Sequence, residues 1–134
     1  MDLDDARDYL RTHHRAIFST LRRDGTPQMS PVVCALDDTG AVVVSTTENA
    51  AKTKNVRRDP RAWLCVIPDT FFGDRFVQVE GTASVTSLPD AMDGLIAYYR
   101  AISGEHPDWD DYRAAMQREQ RVLIRIELTR AGPG

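Results

Sequence analysis

The residue types best suited to chemistry fall in one stretch, Val44-Ser45-Thr46-Thr47-Glu48-Asn49-Ala50-Ala51-Lys52-Thr53-Lys54-Asn55-Val56-Arg57-Arg58. Its first part reads as the end of a strand and the rest as a short helix, so two or three hydroxyls arrive at a helix mouth. Free N–H groups at such a mouth favour an anion. Lys52 and Arg57 or Arg58 follow within about two helical turns. Neutral donors that orient, together with a mobile ammonium that neutralises, suit a phosphate monoester. The same residues also serve plain helix architecture, with Thr46 or Thr47 as a cap, Glu48 in the first turn and the late cations complementing the dipole. Spacing alone leaves both readings open. Of seventeen basic residues fifteen are arginine, and the two lysines, Lys52 and Lys54, share one three-residue span. A general preference for arginine does not explain that placement.

Other candidates have simpler readings. His13-His14 falls at the end of the first helix, where imidazoles complement the carboxyl-end dipole. His106, near Asp108, Asp110 and Asp111, could hold a cation, but those carboxylates are better explained as the start of a helix. Cys34 and Cys65 sit in apolar runs without a CxxC or Cys/His cluster and read as reduced core thiols. Trp63 reads as core. Phe71-Phe72-Gly73-Asp74 reads as a loop whose adjacent rings line a subunit interface or a substrate pocket, with the interface favoured. No Ser/His/Asp or Cys/His arrangement supports nucleophilic catalysis, and no metal site is expected. That suits a protein whose cofactor carries the chemistry.

These residues need a scaffold, and composition limits it. The chain has 134 residues, 42% apolar and 28% charged, which suits one globular domain spanning 1–134. A domain this small often builds its ligand site where subunits meet. A net charge of −3 gives no global field for nucleic acid. Apolar runs such as Ala41–Val44 are far too short to span a membrane. The acidic start, Met1-Asp2-Leu3-Asp4-Asp5, lacks a signal-peptide core, so a cytoplasmic location is expected.

The elements follow from periodicity. Leu3, Ala6 and Leu10 predict an amphipathic helix over roughly 2–13. Strands are predicted at Ala16–Arg22, Gln28–Leu36 and Ala41–Thr46, joined by Asp-Gly and Thr-Gly turns, with Pro31 marking an edge or bulge. The helix after Thr47 stops before Pro60. Strands resume at Ala62–Ile67 and Phe76–Thr86, the latter interrupted by Gly81 as a bulge or kink. Ser87-Leu88-Pro89-Asp90 fits a capping box opening a helix, Asp108–Gln120 is another, and Val122–Leu128 is the last strand. Six strands with Gly/Pro turns and few helices suggest a closed antiparallel barrel more than a doubly wound sheet.

The chemistry-bearing stretch resembles the cofactor signature of the pyridoxamine 5′-phosphate oxidase-like flavin split-barrel superfamily. Thr46 matches its strand-end Thr, Lys52 its Lys, and Asp59-Pro60 the Asn-Pro that follows that Lys by the same offset; Val79-Glu80-Gly81-Thr82-Ala83 is similar as well. One position departs: the Arg expected just before Lys52 is Ala51. The run Ala51–Ala62, with Tyr98-Tyr99-Arg100 and Gly104–Arg113, resembles the actinobacterial branch that uses the deazaflavin coenzyme F420.

The resemblance implies a mainly β, six-stranded antiparallel split barrel acting as a homodimer. Ser45, Thr46 and Lys52 are implied to hold the cofactor's phosphate end, with Thr53, Arg57, Gln28 and Ser30 as further contacts. The ring is implied to lie across the dimer interface on Gln28–Val32, with the partner subunit's region around Phe71–Phe76 adding contacts. The run Lys52, Lys54, Arg57, Arg58 and Arg61 suits the polyglutamate tail of F420. The implied activity is an F420-dependent oxidoreductase passing a hydride to an electron-poor unsaturated small molecule such as an enone, a quinone or a tetrapyrrole-like compound. Alternatives are a non-catalytic F420-binding, carrier or sensor protein, and an FMN-dependent oxidase, against which Ala51 argues.

Overall fold

The computed structural model describes residues 1–71 and 75–133. In chain order the elements are α1 (Leu3–Leu10), β1 (Arg15–Leu21), β2 (Pro27–Leu36), β3 (Val42–Thr47), α2 (Ala51–Arg58), β4 (Arg61–Ile67), β5 (Val77–Thr86), α3 (Met92–Ser103), α4 (Trp109–Arg118) and β6 (Arg121–Gly132). Among the described residues the strands close an antiparallel barrel in the order β1-β2-β3-β6-β5-β4. Among the described residues no helix is long and apolar enough to cross a membrane.

Alternation along the strands fills the interior. Phe18, Val42, Val44, Leu64, Val79, Ile124 and Ile126 point inward and are fully buried, and Ala6 and Leu10 of α1 join the same core. A second cluster lies outside the barrel wall, where Ala35, Val43 and Leu123 pack under Leu95, Ile96 and Tyr112 of α3 and α4. This explains the unbroken run Val42-Val43-Val44: both faces of β3 are covered, so alternation disappears. Trp63 corrects the expectation of a core residue. The two-residue period sends Ala62 and Leu64 inward and leaves Trp63 half-buried on the outer face, its indole N–H donating to Glu80 Oε2 at 2.9 Å.

β2 has two halves. Cys34, Ala35 and Leu36 pair with β3, whereas Pro27 to Val33 pair with β1 alone. Pro31, which cannot donate to a ladder, therefore sits on a free edge, as its presence in a strand requires.

Two helix starts differ from expectation. Thr46 and Thr47 do not cap α2, because both remain in the ladder opposite Val122 and Arg121. Ala50 takes the cap position without a side-chain bond. Ser87 does not open α3 either: its hydroxyl donates to Glu48 Oε1 at 2.5 Å, and the helix begins at Met92. β6 runs four residues past the expected Leu128 because the first half of β5 needs a partner. The bulge expected at Gly81 is present as a register shift: Glu80 faces Arg130 and Gly81 faces Leu128, so Thr129 is the extra residue.

Gly81 also allows close backbone approach, since a Cβ there would run into the Glu127 carbonyl oxygen, with the Ile126 side chain beside it. Gly81→Ala should destabilise the fold by about 3 kcal/mol, because backbone atoms cannot move aside. Urea denaturation should show a lower midpoint at unchanged slope.

Candidate cofactor site

The free half of β2 opens a cleft of about 590 Å³ between the barrel wall and the α3–α4 hairpin. Its floor is Pro31, Val32 and Val33 of β2 with Ser45 and Thr46 of β3, and its roof is Tyr98, Tyr99, Tyr112 and Met116. Lys52, Glu119 and Arg121 stand at the charged end. The Tyr98 hydroxyl marks where the strands part. It donates to the Val33 carbonyl at 2.8 Å and lies near the Ser45 backbone N–H, between two groups that a continued ladder would have joined.

The cations are arranged unusually. Lys52 is half-buried, and burial followed by the nearby Arg121 guanidinium pulls its pKa below the ordinary lysine value. Among the described residues it has neither a carboxylate nor a hydrogen-bond partner, and no protein group engages the Ser45 or Thr46 hydroxyls. Arg121 Nη2 and Nε both donate to Glu119 Oε1, at 2.9 and 3.1 Å. Lys52 beside two unengaged hydroxyls, with Arg121 already held by Glu119, is an arrangement that could hold an anion.

The other residues expected to bind lie elsewhere. Thr53 is fully buried, and its hydroxyl donates to the Thr47 carbonyl at 2.6 Å, holding the β3–α2 turn. Arg57 donates to both Glu48 oxygens, at 2.7 and 3.3 Å, and to Ser87 Oγ, so it ties α2 to the start of the α3 segment. Gln28 and Ser30 continue the strand face of Val32, opposite Thr20 and Phe18. Gln28 Oε1 and Ser30 Oγ are shielded from solvent and have no hydrogen-bond partner among the described residues. Groups left this way require something to bond.

Phe72, Gly73 and Asp74 lie outside the described residues, while Phe71 is 87% exposed. His106 is enclosed by Tyr99, Trp109 and Tyr112, and its Nδ1 accepts from the Asp108 N–H at 2.9 Å. The described residues hold no group of three ligands suited to a metal. His13 stacks on Tyr9, and His14 Nδ1 reaches the Cys34 carbonyl at 2.8 Å. Burial pushes the Cys34 thiol up to about 12, so it is no thiolate nucleophile.

A profile for pyridoxamine 5′-phosphate oxidase matches residues 3–132. The chain belongs to that family. Another relative, the F420H(2)-dependent biliverdin reductase of Mycobacterium tuberculosis, is 30% identical over 129 residues, 95% of this chain and 84% of its own. Among solved structures, the conserved hypothetical protein Rv2991 of Mycobacterium tuberculosis aligns with a TM-score of 0.79 and 25% identity, over 98% of this chain and 82% of that one. An F420 reductase aligns at TM-score 0.68 with 23% identity, over 94% of each chain. The heme storage protein HutZ of Vibrio cholerae aligns at 0.73 with 15% identity, over 98% and 94%. These last two share the fold, which hosts more than one ligand chemistry.

Sequence reasoning missed Arg121 and the tyrosine roof. Arg121 opens a strand 69 positions after Lys52, and only the β3–β6 register, which sets it opposite Thr47, brings the two together. Tyr98 and Tyr99 were noticed for resemblance, not for position. Arg121→Gln should raise the Lys52 pKa toward its ordinary value. Reductive ¹³C-methylation followed by NMR titration would read this, since the chain contributes just two lysine side-chain signals.

Proposed function

We propose that this protein is an F420-dependent reductase of a small, electron-poor unsaturated molecule. One observation carries the reading: half-buried Lys52 faces Arg121 with no carboxylate of its own, beside the unengaged hydroxyls of Ser45 and Thr46. The kinship with an F420H(2)-dependent reductase supports a deazaflavin as the completing group. FMN is the weaker candidate, because Ala51 is exposed and supplies no guanidinium beside Lys52.

In this reading Lys52 neutralises the cofactor's phosphate while Ser45 and Thr46 orient it. Pro31 and Val33, on the outer face of β2, form an apolar floor for the ring, and Val32 lines its edge. When bound in reduced form, the deazaflavin supplies a hydride from its C5. The tyrosine roof suits a flat conjugated acceptor. Burial raises the pKa of Tyr98, and it pushes Tyr112 up to about 12, so both phenols stay neutral. Neither is placed to act as an ionised base, and solvent or a donor beside the substrate delivers the proton.

We infer further that two copies pack through the bare outer face of β2, β1 and β4. Met29 and Val33 are 63% and 44% exposed there, and Ile67 is 37% exposed. Val33, Arg15 and Ile67 form one row across the three strands. Val33 belongs to both this face and the cleft, so a partner seated there would close the cleft's open side.

Lys52→Ala should weaken F420 binding by about 1–3 kcal/mol in a fluorescence titration at low salt, and added salt should narrow the difference. Wild-type protein with no affinity for F420 at low salt would sink the proposal. Oxidation of F420H2 in the presence of enones, quinones or bilins separates a reductase from a pure binder, which stays silent with all of them. Ile67→Asp should halve the mass measured by light scattering, and an unchanged mass rejects this interface.

A further inference from the structure

The charged end of the cleft is balanced by one carboxylate whose placement has no evident folding purpose. Glu119 follows the last residue of α4, and Arg121 opens β6. Between them Gln120 adopts a left-handed backbone with φ of 52°, which turns the chain sharply. The Gln120 carbonyl accepts from the Glu48 N–H at 3.0 Å, tying this turn to the one that leads into α2 and Lys52. Glu119 and Arg121 are thus held at the cleft beside Lys52, joined by two hydrogen bonds to one carboxylate oxygen.

Formal charges at this end can be counted. Glu48 and Arg57 neutralise each other at 2.7 Å. Glu119 and Arg121 do the same at 2.9 Å. Among the described residues that line the cleft, Lys52 alone remains, giving this end one net positive charge. A phosphodiester carries one negative charge, whereas a phosphate monoester carries about −1.5 to −2 near pH 7. A diester leaves this end neutral. A monoester leaves excess negative charge facing the Glu119 carboxylate.

We propose that Glu119, by occupying Arg121, makes the cleft select a phosphodiester over a phosphate monoester. The inference rests on the anionic-cofactor reading above and adds the discriminating residue. It complements the missing guanidinium at Ala51: one cation is absent and a second is spoken for.

The test compares three ligands with one ring, riboflavin 4′,5′-cyclic phosphate (a diester), FMN (a monoester) and riboflavin (no phosphate), with F420 titrated alongside as the cofactor. Affinities are measured for wild type, Glu119→Gln, Arg121→Gln and Lys52→Ala. Glu119→Gln should tighten FMN by about fivefold and the cyclic diester by about two- to threefold, with riboflavin unmoved. Arg121→Gln, which leaves Glu119 unopposed, should shift the FMN to diester ratio the opposite way. A ratio unchanged in both variants overturns the inference, and so does riboflavin shifting in parallel with FMN. If F420 binding weakens in Lys52→Ala while the ratio stays fixed in the Glu119 and Arg121 variants, the cofactor reading stands and this inference falls. If Lys52→Ala binds F420 as wild type does, the cofactor reading falls and takes this inference with it.

Discussion

The Tyr98 hydroxyl lies between the Val33 carbonyl and the Ser45 N–H, at the point where β2 stops pairing with β3. Two backbone groups freed from a ladder inside a protein need partners, since leaving them unmet costs about 1–3 kcal/mol each. One phenol, donating to the carbonyl and set near the amide, serves both. Closing the gap with more β pairing would remove the cleft, and leaving it unbridged would expose bare strand edge. The cleft, its floor and the presentation of Ser45 all depend on this one contact.

Electrostatics is built on that geometry. Most charges near the cleft are neutralised locally, as in Glu48 with Arg57 and Glu119 with Arg121. Lys52 is the exception, and its depressed pKa reflects burial first and repulsion by Arg121 second. An anion beside Lys52 would offset both effects. Gln28 and Ser30 have shielded oxygens that no described residue satisfies.

Much of the barrel was legible because strand periodicity and turn chemistry are local. The bounds of β1, β3, β4 and β5 shifted by a residue or so. Helix starts were less legible, because a capping motif states only what a hydroxyl could do. Ser87 had a better partner in Glu48, and Thr46 and Thr47 were retained by β6. The length of β6 was set by the needs of β5, which its own sequence does not carry. In the candidate site, Lys52 and the strand-end hydroxyls stand out as a contiguous motif. Thr53 and Arg57 belonged to the same motif yet serve the turn around it. Arg121 and Glu119 went unnoticed because strand register, not sequence proximity, brings them to Lys52.

The roof of the cleft comes from α3 and α4, an insertion between two adjacent strands of the closed barrel. Its inner side packs on Ala35, Val43 and Leu123 outside the wall, separate from the core that holds the barrel together. Substitutions in this hairpin can therefore reshape what the cleft accepts while the barrel folds as before. Scaffold and ligand preference are thus separable in this architecture, which suits a fold that hosts unlike ligands.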